Sequence, residues 1–239
     1  MPSIISDESP FRRMPVDMPR RRILYLDALR LSAEMAALAF DGLHTLLLGL
    51  CERREDPSGD RAVRAILDAY SVIDAVHRFR QLLQVTPGLK HDAAYELFMR
   101  QTKGVKELRN IVQHLNREVD RIAQEGWAAL GTLVWLGPSA VSDGPPTSYI
   151  LQAGTFYAGQ WTHGPLVDTY SSLTDGEISD ITLATAGCRV NLSIIMDKLR
   201  SIIRSLERPL EDFAAEKERF GSDALLAFAM TPVDENRDP

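Results

Sequence analysis

The sequence predicts a mainly α protein: an up-and-down bundle of four long helices with a small antiparallel β-meander inserted before the last helix. Apolar residues recur at alternating spacings of three and four along three long stretches, and again after residue 190. Between residues 127 and 185 the composition shifts instead to Trp, Thr, Tyr, Val, Ile and Gly, interrupted by turn clusters. With 239 residues, 45% of them hydrophobic and 25% charged, the chain has the apolar mass for a sizeable core.

Residues 1–20 carry Pro2, Pro10, Pro15 and Pro19 with little apolar periodicity, so they read as a disordered tail, as do residues 226–239. Residues 21–126 hold the first three bundle helices. The first runs from about Arg22 to Arg53 on Leu29, Ala33, Ala36, Phe40, Leu43, Leu47 and Leu50. Pro57, Ser58 and Gly59 break the chain, and a second helix follows from about Asp60 to Val85 on Ala62, Ile66, Ala69, Ile73, Val76 and Leu83. Pro87 and Gly88 stop it. The third, from about His91 to Gln124, has its seam at Ala94, Phe98, Gln101, Val105, Leu108, Val112, Leu115, Val119 and Ile122, with Gly126 where a C-terminal cap belongs.

Residues 127–187 form the β insertion, with three strands expected near 128–136, 147–158 and 178–185. The last bundle helix lies in residues 188–225. It starts near Val190 on the seam Ile195, Leu199, Ile202 and Leu206, and Pro209 kinks or ends it before an acidic piece from Glu211 to Phe220.

A net charge of −6 and a pI near 5.4 exclude a protein that coats nucleic acid or anionic membrane through bulk charge. Cys51 and Cys188, far apart, make neither a disulfide framework nor a thiolate zinc site, and a reducing cytoplasm is the expected compartment. The apolar stretch from Ile23 to Leu50 is interrupted by Asp27, Arg30, Glu34 and Asp41 and reads as a buried soluble helix; no membrane partner is expected. Arg20, Arg21 and Arg22 precede it like the start of a signal peptide, but no small-residue cleavage site follows.

The most informative run is Glu107-Leu108-Arg109-Asn110-Ile111-Val112-Gln113-His114. On an ideal helix Leu108 and Leu115 face the seam, while Lys103, Lys106, Asn110, His114, Arg117 and Arg121 gather opposite and Arg109 lies on the flank. From Arg100 to Arg121 six Lys or Arg stand against three acids, a local charge of +3 suited to phosphate. His114 can act as base or acid because imidazole titrates near neutrality, and the Arg109 fork can hold two phosphate oxygens. Asn110, four residues before His114, can fix its tautomer or contact phosphate. Arg109 and His114 lie about 140° apart around a helix, so a site shared across a dimer axis would converge two such pairs.

Arg109-Asn110-x-x-x-His114 resembles the Arg-x(4–6)-His signature of the HEPN superfamily, whose members often place a polar residue directly after the Arg. The resemblance covers roughly residues 22–125 and 190–220. It implies an α-helical, commonly dimeric bundle and a metal-independent endoribonuclease with Arg109, His114 and Asn110 as catalytic residues, in toxin–antitoxin, defence or RNA-processing systems. The implied partners are RNA, held also by Lys103, Lys106, Arg117 and Arg121, a second copy of the chain, and a protein antitoxin or regulator. No cofactor and no metal are expected. His114 is followed by Leu115 and Asn116, not by the x-Tyr of one toxin branch, so regulation through a modified tyrosine is not implied. The rival expectation is a non-catalytic dimeric helical protein that binds RNA or a protein partner.

Other constellations carry less. Asp41 with His44 and Asp74 with His77 repeat a carboxylate–histidine spacing found in bundle metal sites, with Glu96 and Glu107 as further candidates, but a histidine bonded to its neighbouring carboxylate is the simpler meaning. Ser171, Ser172, Thr174, His163 and Asp168 lack a nucleophile elbow, and no glycine cradle for nucleotides exists. Trp127, Trp135, Tyr149, Phe156, Tyr157 and Trp161 can stack bases, though in a short sheet such residues are usually core.

Overall fold

The computed structural model describes residues 3–53, 60–89, 91–139, 144–154 and 177–224. In these the chain forms α1 (Arg20–Arg53), α2 (Asp60–Val85), α3 (Ala93–Gln101), α4 (Lys103–Gln113), α5 (Leu115–Gln124), β1 (Thr132–Gly137), β2 (Thr147–Gln152), β3 (Ser179–Thr185), β4 (Cys188–Asn191) and α6 (Leu192–Ala214). The fold is mainly helical with a small four-stranded antiparallel sheet. Helices α1 and α2 make the most extensive pairing. Leu29, Ala33, Ala36, Phe40, Leu43 and Leu47 of α1 are buried, facing Ala65, Ile66, Ala69, Val72, Ile73, Val76, Phe79 and Leu83 of α2. By length and composition α1 is apolar enough to cross a membrane.

The expected third long helix is instead three short ones, so the bundle has three long helices and a broken fourth. The first break falls at Thr102, where the hydroxyl donates to the Phe98 carbonyl at 2.7 Å and Arg80 of α2 donates to the Met99 carbonyl at 2.7 Å. Side chains thus satisfy backbone groups that a continuous helix would pair internally. Just beyond, Gly104 lets α4 approach β4: a Cβ there would stand 3.3 Å from Val190 Cγ2. The second break falls at His114, whose backbone leaves the helical region at φ −110°, ψ 28°. The expected seam therefore holds at Phe98, Val105, Leu108 and Ile122, whereas Gln101 and Val119 are exposed.

The sheet is not a meander. Its strand order is β2-β1-β3-β4, so β3 pairs with β1 and not with β2, leaving two hairpins side by side. The residues from Cys188 to Asn191, expected to open the last helix, are a fourth strand, and α6 begins only after Asn191 caps it by accepting from the Ile194 N–H at 2.9 Å. Ala186 (φ 45°) and Gly187 (φ 74°) make the two-residue turn between β3 and β4. Trp135 of β1 seats the sheet on α1: its indole N–H donates to Cys51 Sγ at 3.2 Å and its ring stacks on Tyr149 at 5.5 Å. Its expected burial as core is what the structure shows. Helix α6 packs on β3, α3 and α1 through Ile195, Leu199, Ile202 and Leu206, and it continues through Pro209 to Ala214.

Residues 3–19, expected as a disordered tail, pack onto the bundle. Ile5, Phe11, Met14 and Met18 are buried, and Val16 and Phe220 exchange backbone hydrogen bonds with Glu218 and Met14, each 2.9 Å. The prolines that remove helical periodicity leave apolar side chains free to enter the core from an irregular backbone. Part of the expected second strand, residues 155–158, lies outside the described residues, as do the 174–176 turn cluster and the C-terminal tail.

Two glycines separate backbone strain from helix propensity. Gly131 has φ +81°, and a Cβ there would lie 2.6 Å from the Ala184 carbonyl oxygen, whereas Gly49, inside α1, has open space around it. Gly131→Ala should cost about 2 kcal/mol or more, and Gly49→Ala should gain up to about 1 kcal/mol. Urea unfolding midpoints moving in opposite directions would bear this out.

Candidate functional site

Helix α4 lies between α2 and β4 with Val105 and Leu108 buried, which leaves Arg109 on the rim between α4 and α2. Its guanidinium turns towards α2. Arg109 Nε donates to Asp74 Oδ1 at 2.8 Å, and Nη1 donates to Gln113 Oε1 at 2.9 Å. The fork is thus held by an anion from the neighbouring helix and an amide one turn along its own.

Asn110 and His114 are both exposed. They are joined through backbone, the His114 N–H donating to the Asn110 carbonyl at 3.0 Å, and the His114 carbonyl in turn accepts from the N–H groups of Arg117 and Glu118. His114 therefore closes α4 and opens α5, presenting its ring at a corner. The imidazole makes no hydrogen bond among the described residues, and Arg109 turns to Asp74, not to it. The bend follows His114, whose N–H keeps the helical bond to Asn110, so it redirects α5 and leaves the angular spacing back to Arg109 as on a regular helix.

The expected phosphate-binding stripe is divided by the same corner. Lys103 faces Glu107 at 3.5 Å, both exposed, and Lys106 and Arg117 are exposed. Arg121 is committed elsewhere: it pairs with Glu118 at 2.7 Å and Glu125 at 3.6 Å and donates to the Ala186 carbonyl at 2.7 Å. That residue anchors α5 to the β3–β4 turn.

Sequence reasoning put Asp74 and His77 in a metal constellation and not beside Arg109. Their spacing of three placed both on one flank of α2, the flank α4 covers. His77 is 7% exposed, and its Nδ1 is buried without a hydrogen-bond partner. Burial holds its imidazole below the ordinary range, and the positive charges of Arg109, Arg80 and Lys106 push the same way against Asp74. Arg109, Arg80 and Lys106 thus surround a histidine that burial and their charge disfavour protonating. Among the described residues no three His, Cys, Asp or Glu side chains gather as a metal site. His44, of the other pair, is likewise held low by burial, and it packs near Phe40. Phe156, Tyr157, Trp161, His163, Asp168, Ser171, Ser172 and Thr174 lie outside the described residues.

Both His77 and the partly buried His44 bind protons less readily in the native state than in the unfolded chain. The unfolded chain then takes up more protons on acidification, so stability falls as pH drops below the ordinary imidazole value of 6.5 and the loss levels off below the native values. His77→Gln should shrink this acid sensitivity, read as urea midpoints from pH 7.5 to about 5; an unchanged profile would remove His77 as a contributor. Comparison of the chain with family models, curated proteins and solved structures finds no match, so a functional reading rests on the geometry of this site.

Proposed function

We propose that this chain is a HEPN-like, metal-independent endoribonuclease acting at the α4–α5 corner, working as a homodimer in the cytoplasm. The observation that carries the reading is the gathering at the C-terminal end of α4 of Arg109, on a solvent-screened pair with Asp74, an exposed Asn110, and an exposed His114 whose imidazole makes no hydrogen bond among the described residues. In the reaction the RNA 2′-hydroxyl loses its proton to a base and attacks the adjacent phosphorus; the bond to the 5′-oxygen breaks, leaving a 2′,3′-cyclic phosphate and a 5′-hydroxyl. His114 serves as base or acid, and Arg109 stabilises charge on the phosphoryl oxygens. Lys103, Lys106 and Arg117 supply positive charge along the strand.

Asp74 does not block this. The Arg109–Asp74 pair is 29% and 55% exposed, in the range where solvent screening leaves about 0–1 kcal/mol, so a phosphodiester can displace the carboxylate. The same pair is the specific observation that favours a second reading, in which Arg109 is structural and the chain is a non-catalytic dimer binding RNA or a protein partner.

The homodimer is supported by α1. Leu24, Leu31, Met35 and Leu38, at spacings of seven, four and three, form an outward apolar stripe with exposures from 46% to 74%. The free thiols of Cys51 and Cys188 suit a reducing compartment. If the activity is toxic to its host, a protein antitoxin or regulator is the expected further partner.

Wild type should cleave a mixed single-stranded RNA pool in EDTA, with Arg109→Ala and His114→Ala each losing about 100-fold or more at unchanged circular dichroism. Cleavage surviving both changes would sink the assignment; binding without cleavage by wild type would select the second reading. Separately, light scattering should give twice the chain mass for wild type and the single-chain mass for Leu38→Glu.

A further inference from the structure

A second site, unrelated to Arg109, lies where the two ends of the described chain meet. A void of about 320 Å³ opens between the first half of α1, the N-terminal segment and residues 220–223; Phe11, Arg12, Asp27, Arg30, Phe220 and Asp223 are among its walls. That volume falls in the range of small-molecule pockets. Arg30 is 4% exposed at its side chain and holds the Asp223 carboxylate in two parallel bonds, Nη2 to Oδ1 at 2.7 Å and Nη1 to Oδ2 at 3.0 Å. Arg12 Nη1 adds a third bond to Oδ2 at 3.0 Å. Glu34 accepts from both arginines.

Two features set this apart from an ordinary ion pair. First, Arg30 is built into the core while the anion is not: Asp223 is 54% exposed, stands at φ +63° and follows Gly221 and Ser222. Second, the donors outnumber the acceptors. The Nε–H groups of Arg12 and Arg30 are buried without a hydrogen-bond acceptor, the nearest carboxylates, Asp7 and Asp27, each standing 4.0 Å away. The carboxylates bonded to the two guanidinium groups are Glu34 and Asp223, with Asp7 and Asp27 farther off at 4.0 Å.

We propose that this pocket is a binding site for a small carboxylate ligand, with Asp223 as its tethered occupant. An incoming carboxylate takes the Arg12–Arg30 fork, its body fills the void, and the segment carrying Asp223 is released. The tether gives Asp223 an effective concentration on the order of millimolar, so free carboxylate competes only above that level.

Acetate is the probe, in thermal unfolding of wild type, Asp223→Ala and Asp223→Asn, with chloride at equal ionic strength as control and inorganic phosphate as a second anion. Both variants should unfold several degrees below wild type. Acetate at about 10 mM should return part of that loss in a saturating way and shift wild type less, because there it must first displace Asp223. No acetate-specific shift in either variant, or an equal shift in wild type, overturns the proposal; rescue by phosphate and not acetate overturns the carboxylate assignment. Should neither variant fold, the wild-type chain answers: acetate on the order of 0.1 M should speed amide hydrogen exchange from Gly221 to Ala224 relative to chloride, and unchanged exchange overturns the idea.

Discussion

Close packing of α1 on α2 is the constraint on which the rest of the molecule leans. Ala33 and Ala36 on one helix and Ala65 and Ala69 on the other are fully buried, and small side chains bring two helix axes together. At Gly42 the approach is tightest: a Cβ there would lie 3.1 Å from Oδ2 of Asp68, a buried carboxylate that is answered by Arg64 at 2.9 Å. The hairpin so formed offers three faces. One takes α6 and the sheet, one takes α4, and the end near Arg30 takes the two terminal segments. Each candidate site borrows from it, Asp74 and His77 for the corner at His114 and Arg30 for the carboxylate pocket.

Electrostatics follow from this arrangement. The chain is acidic overall, yet α4 sets Lys106 and Arg109 over the flank of α2 that carries His77 and Arg80. In that concentrated positive field the buried imidazole stays neutral, and Asp74 supplies the compensating charge from a position open to solvent. An anionic ligand in place of Asp74 would supply the same compensating charge. At the other end of the hairpin the balance is inverted, Arg30 buried and its carboxylate partner exposed.

Reading the helices from the sequence succeeded where a single face decides burial. The bounds of α2 were legible to the residue, because an apolar row of constant period is flanked by a Pro-Ser-Gly break and a Pro-Gly stop. The same reasoning failed for the third helix. Its seam is continuous in sequence, but it is interrupted at Thr102, where Arg80 and β4 offer interactions that only a folded neighbour supplies, and again at His114. It failed again for β3, since period-two alternation is silent about which strand lies alongside, and for residues 3–19, whose apolar side chains follow no period at all. In the candidate site Arg109, Asn110 and His114 were legible as a motif. The partner of Arg109 was not, because Asp74 comes from another helix, 35 residues away in sequence.

By itself, then, the sequence determined the helical class, the two long N-terminal helices, the α6 seam and the presence of a small sheet. Each of these depends on short-range periodicity and on the local chemistry of proline, glycine and capping residues. Tertiary structure alone decided the order of the strands, the breaks that turn one helix into three, the docking of the N-terminal segment, and the partners of Arg109 and Arg30. These depend on groups 22 to 211 residues apart competing for the same backbone carbonyls, carboxylates and apolar surface. Such competition is settled by packing geometry, which no local pattern encodes.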